Sequence, residues 1–126
     1  MLDQSTICAI STSPGVGAIA IIRLSGSEAI IIADKIFKSP KQGKKLVDQK
    51  ANTIHFGQII FGDEIIDEVV VSIFKAPHSF TGENSIEIAC HGSVFIQQKI
   101  LEILVQSGAR LALPGEFTQR AFLNGK

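Results

Sequence analysis

Residues 18–24 read AIAIIRL, β-branched or otherwise apolar at nearly every position. Side chains alternate between the two faces of a strand, so this run is apolar on both, and such a strand sits in the interior of its sheet. Arg23 stands inside it, on the face of Ile19 and Ile21. A guanidinium in that setting must be paired or hydrogen-bonded. Two uses are open for it: an anionic or carbonyl-bearing ligand, or an ion pair with a carboxylate of the same fold.

Other elements can be read around this strand. Residues 6–11 (TICAIS) form a short strand, and Ser13 to Gly17 a turn. Ser27 is placed to N-cap a helix with Glu28 in its first turn, and Ala29, Ile30, Ala33, Ile36 and Phe37 keep helical spacing to about residue 37. A lysine-rich loop follows. Residues 53–61 and 65–75 form a hairpin around Gly62-Asp63-Glu64, with Val69, Val71 and Ile73 on one face. After a loop at 76–84, residues 85–90 (SIEIAC) are a strand and His91-Gly92 a sharp junction. A helix over 93–107 carries Ile96, Ile100, Ile103 and Leu104, with Gly108 as its C-terminal cap. Residues 109–113 are a last strand, and Pro114 opens a short helix. The order ββα-βββα-β-α, without strict βαβ alternation, predicts an α+β domain: a mixed or antiparallel sheet with two main helices. At 126 residues it is one domain, large enough to hold a core without metal or disulfide.

Composition narrows the function. Twelve basic and twelve acidic residues cancel, and a pI near 6.8 gives no global sign of a nucleic-acid binder. The charge is uneven, however: Lys35, Lys38, Lys41, Lys44, Lys45 and Lys50 face only Asp48 across their stretch. That loop could touch phosphate; a solvated loop is the plainer reading. Cys8 and Cys90 lie far apart in apolar strands and read as buried free thiols in a reducing compartment, which places the protein in the cytoplasm. No apolar run approaches the roughly 20 residues of a membrane helix. GxxxxGK[ST], HExxH, CxxC and GxSxG are all missing. Gly15-Val16-Gly17 leads into a strand, so it is no dinucleotide loop. No catalytic residue and no metal ligand is therefore assigned.

Two further ionisable residues stand out by their positions. Glu87 lies mid-strand, opposite in facing to Ile86, Ile88 and Cys90. A carboxylate in a cleft can accept two parallel N–H bonds from a flat heterocycle that carries a ring N–H beside an amino group; on an exposed strand face a Glu needs no such role. His91-Gly92 could offer backbone N–H groups to an anion, or could simply cap and pack the turn.

Three stretches carry a family resemblance: TICAISTSPGVGAIAIIRLSG at 6–26, SFTGENSIEIACHG at 79–92 and GARLALPGEFTQRAFLNGK at 108–126. Together they resemble the N-terminal domain of the tRNA-modification GTPase family known as MnmE or TrmE. The likeness covers essentially the whole chain and is weakest at 38–68. It implies the α+β folate-binding domain also seen in glycine-cleavage aminomethyltransferases. Residues 1–126 would be a tetrahydrofolate-binding and dimerisation domain, the first of a longer protein whose helical and GTPase domains lie outside this chain. Two such domains would pair as a homodimer and bind 5-formyl- or 5,10-methylene-tetrahydrofolate near their interface. The complete protein would hydrolyse GTP with Mg2+ and K+. With an FAD-bearing partner of the MnmG or GidA type it would build a 5-carboxymethylaminomethyl or aminomethyl group on the wobble uridine of tRNA. No membrane is implied, and this chain alone would not be catalytic.

The family's folate contacts fall here at Arg23, Glu87 and Lys126. The resemblance assigns Glu87 to the N–H edge of the pterin, and Arg23 and Lys126 to carbonyl, formyl or carboxylate oxygens. A remaining family contact lies in a C-terminal part absent from this chain. Ser93 stands where the family often has a second glycine, and Ser is a good helix N-cap. Two other readings are a pure assembly domain and a folate-dependent aminomethyl or formyl transferase.

Overall fold

The computed structural model describes residues 3–12 and 17–126, so all but Gly17 of the expected turn at 13–17 lies outside the described residues. The strands are β1 (Ile7–Ile10), β2 (Ile19–Ser25), β3 (Phe37–Lys38), β4 (Thr53–Phe61), β5 (Glu64–Phe74), β6 (Ser85–His91) and β7 (Arg110–Leu111). The helices are α1 (Ala29–Ile36), α2 (Val94–Gln106) and α3 (Glu116–Leu123), with a 3-10 turn at Leu46–Asp48. One mixed sheet runs β3-β4-β5-β6-β2-β1-β7. All its pairs are antiparallel except β1 with β7. The fold is α+β, and β2 is interior as its sequence requires.

Alternation along the strands separates two faces. Ile22, Leu24, Val69, Val71, Ile73, Ile86 and Ile88 are buried on one of them. Against this face pack α1, through Ile32, Ala33 and Ile36, and α2, through Ile100, Ile103 and Leu104. Each large aliphatic removed from water there contributes roughly 1.5–3 kcal/mol relative to exposure. On the other face the cross-strand rows are Phe56–Val70–Ala89–Ile21 and Ile54–Ser72–Glu87–Arg23–Ala9. That face keeps Ile54, Phe56, Val70 and Ile19 exposed.

Several expected boundaries shift for local reasons. Ser27 does not cap α1: the helix starts at Ala29 with Glu28 at the cap position, and no side chain there bonds back. The Thr6 hydroxyl, from the neighbouring strand end, accepts instead from the N–H of Glu28 itself at 3.1 Å. Helix α1 stops at Ile36, because Phe37 turns extended and pairs with Ile59 of β4. Its ring rests where a side chain of Gly57 would stand. The hairpin turn is tighter than expected, with Gly62 in the left-handed region and β5 already under way at Glu64. Helix α2 is capped by Ser93, whose hydroxyl accepts from the Ile96 N–H at 3.1 Å. It closes with Gly108 at φ 123° and with bonds from Gly108 N to Val105 O and from Ala109 N to Leu104 O. The expected strand at 109–113 shrinks to the two residues that pair with β1.

Candidate functional site

Arg23 and Glu87, 64 residues apart in the chain, are direct cross-strand partners on β2 and β6. Interior placement of both strands fixes this opposition, and period-two alternation turns both side chains away from the helices. Arg23 Nε and Nη2 donate to the same carboxylate oxygen, Glu87 Oε2, at 3.2 and 2.9 Å. The side chains are 24% and 28% exposed. Among the described residues, Glu87 Oε1 and Arg23 Nη1 have no partner. Both readings of Arg23 therefore converge on one place: it is ion-paired, and its partner is the other residue singled out for binding.

Two aromatic rings lie near Arg23. The Arg23 guanidinium carbon lies 5.0 Å from the centroid of Phe80 and 5.9 Å from that of Phe117. These are cation–π distances. Phe80 belongs to the 76–84 loop and Phe117 to the first turn of α3, so two separate segments wall the site.

The walls are tied to the sheet and to each other. In the loop, Thr81 is fully buried and its hydroxyl lies 2.6 Å from that of Ser25 at the end of β2. Ser25 also donates to Glu83 Oε1 at 2.7 Å. Arg120 of α3 reaches the same oxygen at 3.2 Å, and Asn124 Nδ2 donates to Thr81 O at 2.9 Å. Gly82, at φ 81°, permits the close approach: a Cβ there would stand 2.8 Å from that of Asn124.

Helix α3 is fixed at its start by Glu116, buried, whose two oxygens are fully engaged. Arg110 holds them in a fork at 3.0 and 2.6 Å, Leu113 N donates at 2.8 Å and Arg120 Nη2 at 3.3 Å. The hydrogen-bonded Arg110, helped by the Leu113 amide, lowers the Glu116 pKa from 4.5 to about 2.

Lys126 is exposed and follows α3, its backbone N–H bonded to Ala121 O at 2.8 Å. Its side-chain stem passes beside Gly82 of the loop, and it makes no hydrogen bond or ion pair with Arg23 or Glu87 among the described residues. The structure thus brings two of the three expected residues into contact and sets the third at the rim of the loop. His91 is not free for an anion: Asp67 takes its backbone N–H at 2.8 Å and its Nδ1 at 2.7 Å. Nor does His91 cap or pack the turn: Ser93 caps α2, and the His91 side chain is 70% exposed and bonded to Asp67 of β5. Cys8 and Cys90 are free and buried, as expected, and burial pushes both thiols up to about 11.

Phe80, Phe117, Glu83, Glu116 and Arg120 did not stand out in the sequence. Glu116 and Arg120 are spaced i,i+4 on a short helix, a signal that reads as an ordinary surface pair. What makes them more is the tertiary approach of Arg110 and Glu83.

Residues 6–126 match a family model described as GTP-binding protein TrmE N-terminus. The chain belongs to this TrmE N-terminal family. Relatives carrying the name tRNA modification GTPase MnmE include those of Parabacteroides distasonis (60% identical over 124 residues, 98% of this chain), Flavobacterium johnsoniae (53% over 126 residues, 100%) and Bacillus pumilus (56% over 125 residues, 98%). The chain spans 27% of the length of each of these three. The TrmE-like stretches are distant in sequence but meet in space: β1–β2, the 79–84 loop with β6, and β7–α3 surround the Arg23–Glu87 pair.

Proposed function

We propose that this TrmE N-terminal domain binds a one-carbon tetrahydrofolate at the Arg23–Glu87 pair and serves a longer tRNA-modifying GTPase. The carrying observation is that the pair keeps a carboxylate oxygen and a guanidinium nitrogen uncommitted, with two aromatic rings within 6 Å of the guanidinium carbon. A flat heterocycle that carries an N–H donor and a carbonyl oxygen suits that chemistry: Glu87 Oε1 would accept the N–H, Arg23 Nη1 would donate to the oxygen, and Phe80 or Phe117 would offer a ring for stacking. Lys126, whose stem lies beside Gly82, would meet a carboxylate oxygen of the ligand. When bound, the folate would supply the carbon unit for the uridine.

Titration calorimetry with 5-formyl-tetrahydrofolate on the complete protein tests this. Glu87→Ala removes a charged acceptor, so affinity falls roughly tenfold or more, equivalent to about 1.5–3 kcal/mol. Unchanged affinity would sink the folate assignment.

The same sheet face supports pairing with a second copy. Ile54 (69% exposed), Ile19 (65%), Phe56 (54%) and Val70 (38%) lie on it beside the pair. Covering such a row is favourable through apolar burial. Sedimentation across a concentration series should show a dimer that Phe56→Glu converts to monomer; a wild-type monomer at every concentration would remove this part. For the complete protein, the family reading adds GTP, Mg2+ and K+, an FAD-bearing MnmG-type partner and tRNA, in the cytoplasm.

A further inference from the structure

Six of the chain's twelve lysine and arginine residues, but one of its twelve acids, fall within residues 35–50. Elsewhere six cations face eleven acids, so a protein of zero formal charge is divided into a basic end and an acidic remainder. The basic end sits at the β3 edge of the sheet, with β4 and β5 between it and β6. At the usual strand spacing that sets it about 14 Å from Glu87's strand.

The lysines there are not neutralised from within. Lys38, Lys41, Lys45 and Lys50 are exposed, Lys44 is half-buried, and none is in an ion pair among the described residues. Lys35 is engaged elsewhere, donating to Ser107 O at 3.2 Å. The neighbouring acid Asp34 is committed too, accepting from Leu46 N at 2.7 Å.

A segment so rich in like charge repels itself and, left alone, extends into solvent. This one is fixed instead. Leu46 is fully buried in the core, and Gly43 turns the chain at φ 79°. Lys44 N bonds to Lys41 O, Gln49 Nε2 to Lys45 O at 2.9 Å and Thr53 Oγ1 to Lys50 O at 2.6 Å. The fold thus holds five unpaired ammonium groups against one exposed carboxylate, Asp48, on a set surface, with the acidic remainder turning that surface toward any polyanion by long-range steering.

We propose that residues 38–50 are the surface through which this domain contacts RNA, by way of the phosphate backbone. The proposal takes the identity of the polyanion from the tRNA reading above and is independent of the folate site. The segment exposes no aromatic ring, so it offers no platform for stacking bases, and its contacts carry position rather than sequence. An anionic membrane would ask for an apolar face to insert, and Val47 is the segment's one exposed large aliphatic.

The test is salt-dependent binding of a folded tRNA transcript to the complete protein, wild type against Lys38→Gln/Lys41→Gln/Lys45→Gln. Each phosphate contact adds roughly 0.7–0.9 to the slope of log affinity against log salt, so the triple variant should lose about 2–3 from that slope. Its affinity should fall tenfold or more at low salt, while binding of 5-formyl-tetrahydrofolate is unchanged. Amide resonances of residues 38–50 in this chain should shift on adding tRNA and remain still with anionic vesicles of phosphatidylserine. An unchanged slope in a variant that still binds tRNA overturns the assignment of this surface. A complete protein that binds no tRNA overturns the tRNA reading itself, and resonances that respond only to vesicles would make this a membrane surface.

Discussion

Two arginine–glutamate sites lie side by side in this molecule and are built differently. Glu116 is saturated: four donors hold its two oxygens, from Arg110, Arg120 and the Leu113 amide, and its side chain is 8% exposed. Glu87 is held by Arg23 through one oxygen only and is 28% exposed. A saturated carboxylate has nothing left to offer a ligand and belongs to the architecture. A half-used one on an open face has an acceptor in reserve. The first site fastens α3 in place, and through Arg120 and Glu83 it fastens the 79–84 loop. The second has beside its arginine the two rings that those segments bring in.

The comparison can be broken first by stability. Glu116→Ala removes the carboxylate that Arg110 and Arg120 share, leaving them Asp3 and Glu83 respectively, and should cost about 2–3 kcal/mol in urea unfolding. Glu87→Ala should cost about 1 kcal/mol or less, since a partly exposed pair is worth little. Equal losses would erase the distinction.

Acid sharpens it next. Glu116 ionises at about 2 in the folded chain against 4.5 ordinarily. A depressed folded value means stability that is fully present above pH 4.5 and is lost as pH falls toward 2, in total about 3 kcal/mol. Urea midpoints measured from pH 6 down to 2 should fall steeply across that window in the wild type. Glu116→Gln should flatten the fall, and an unchanged profile would show that the depressed ionisation is not anchored there.

The smallest effect concerns the rings. Phe80→Leu or Phe117→Leu should weaken folate by about 0.5–1 kcal/mol through lost cation–π and stacking contact. Unfolding should hardly register Phe80→Leu, because that ring is 55% exposed. A large stability loss from it would make the ring a packing element rather than a wall.

Much of the fold was legible because it rests on local pattern. The apolar AIAIIRL run required an interior strand, and Val69, Val71 and Ile73 announced the buried side of β5. Gly108 marked the end of α2. The misses came where a distant group took over a local role. Thr6, 22 residues before Glu28, anchors the start of α1 in place of a Ser27 cap, and Gly57 makes room for Phe37 to leave its helix. The candidate site was half legible. Arg23 and Glu87 looked out of place among apolar neighbours, whereas no local pattern singled out Phe80 or Phe117.

By itself the sequence determined the α+β class, the interior position of β2, the burial of both thiols and the clustering of charge in residues 35–50. These follow from periodicity, side-chain volume and composition, which act over a few residues at a time. Only the tertiary structure decided that Arg23 and Glu87 face each other, that α3 and the 79–84 loop close around them, and that Glu116 is saturated while Glu87 is not. Register between strands and the docking of a helix end are set by contacts across 37 to 64 residues of chain, and no local pattern encodes which donors will be spent and which will be left over.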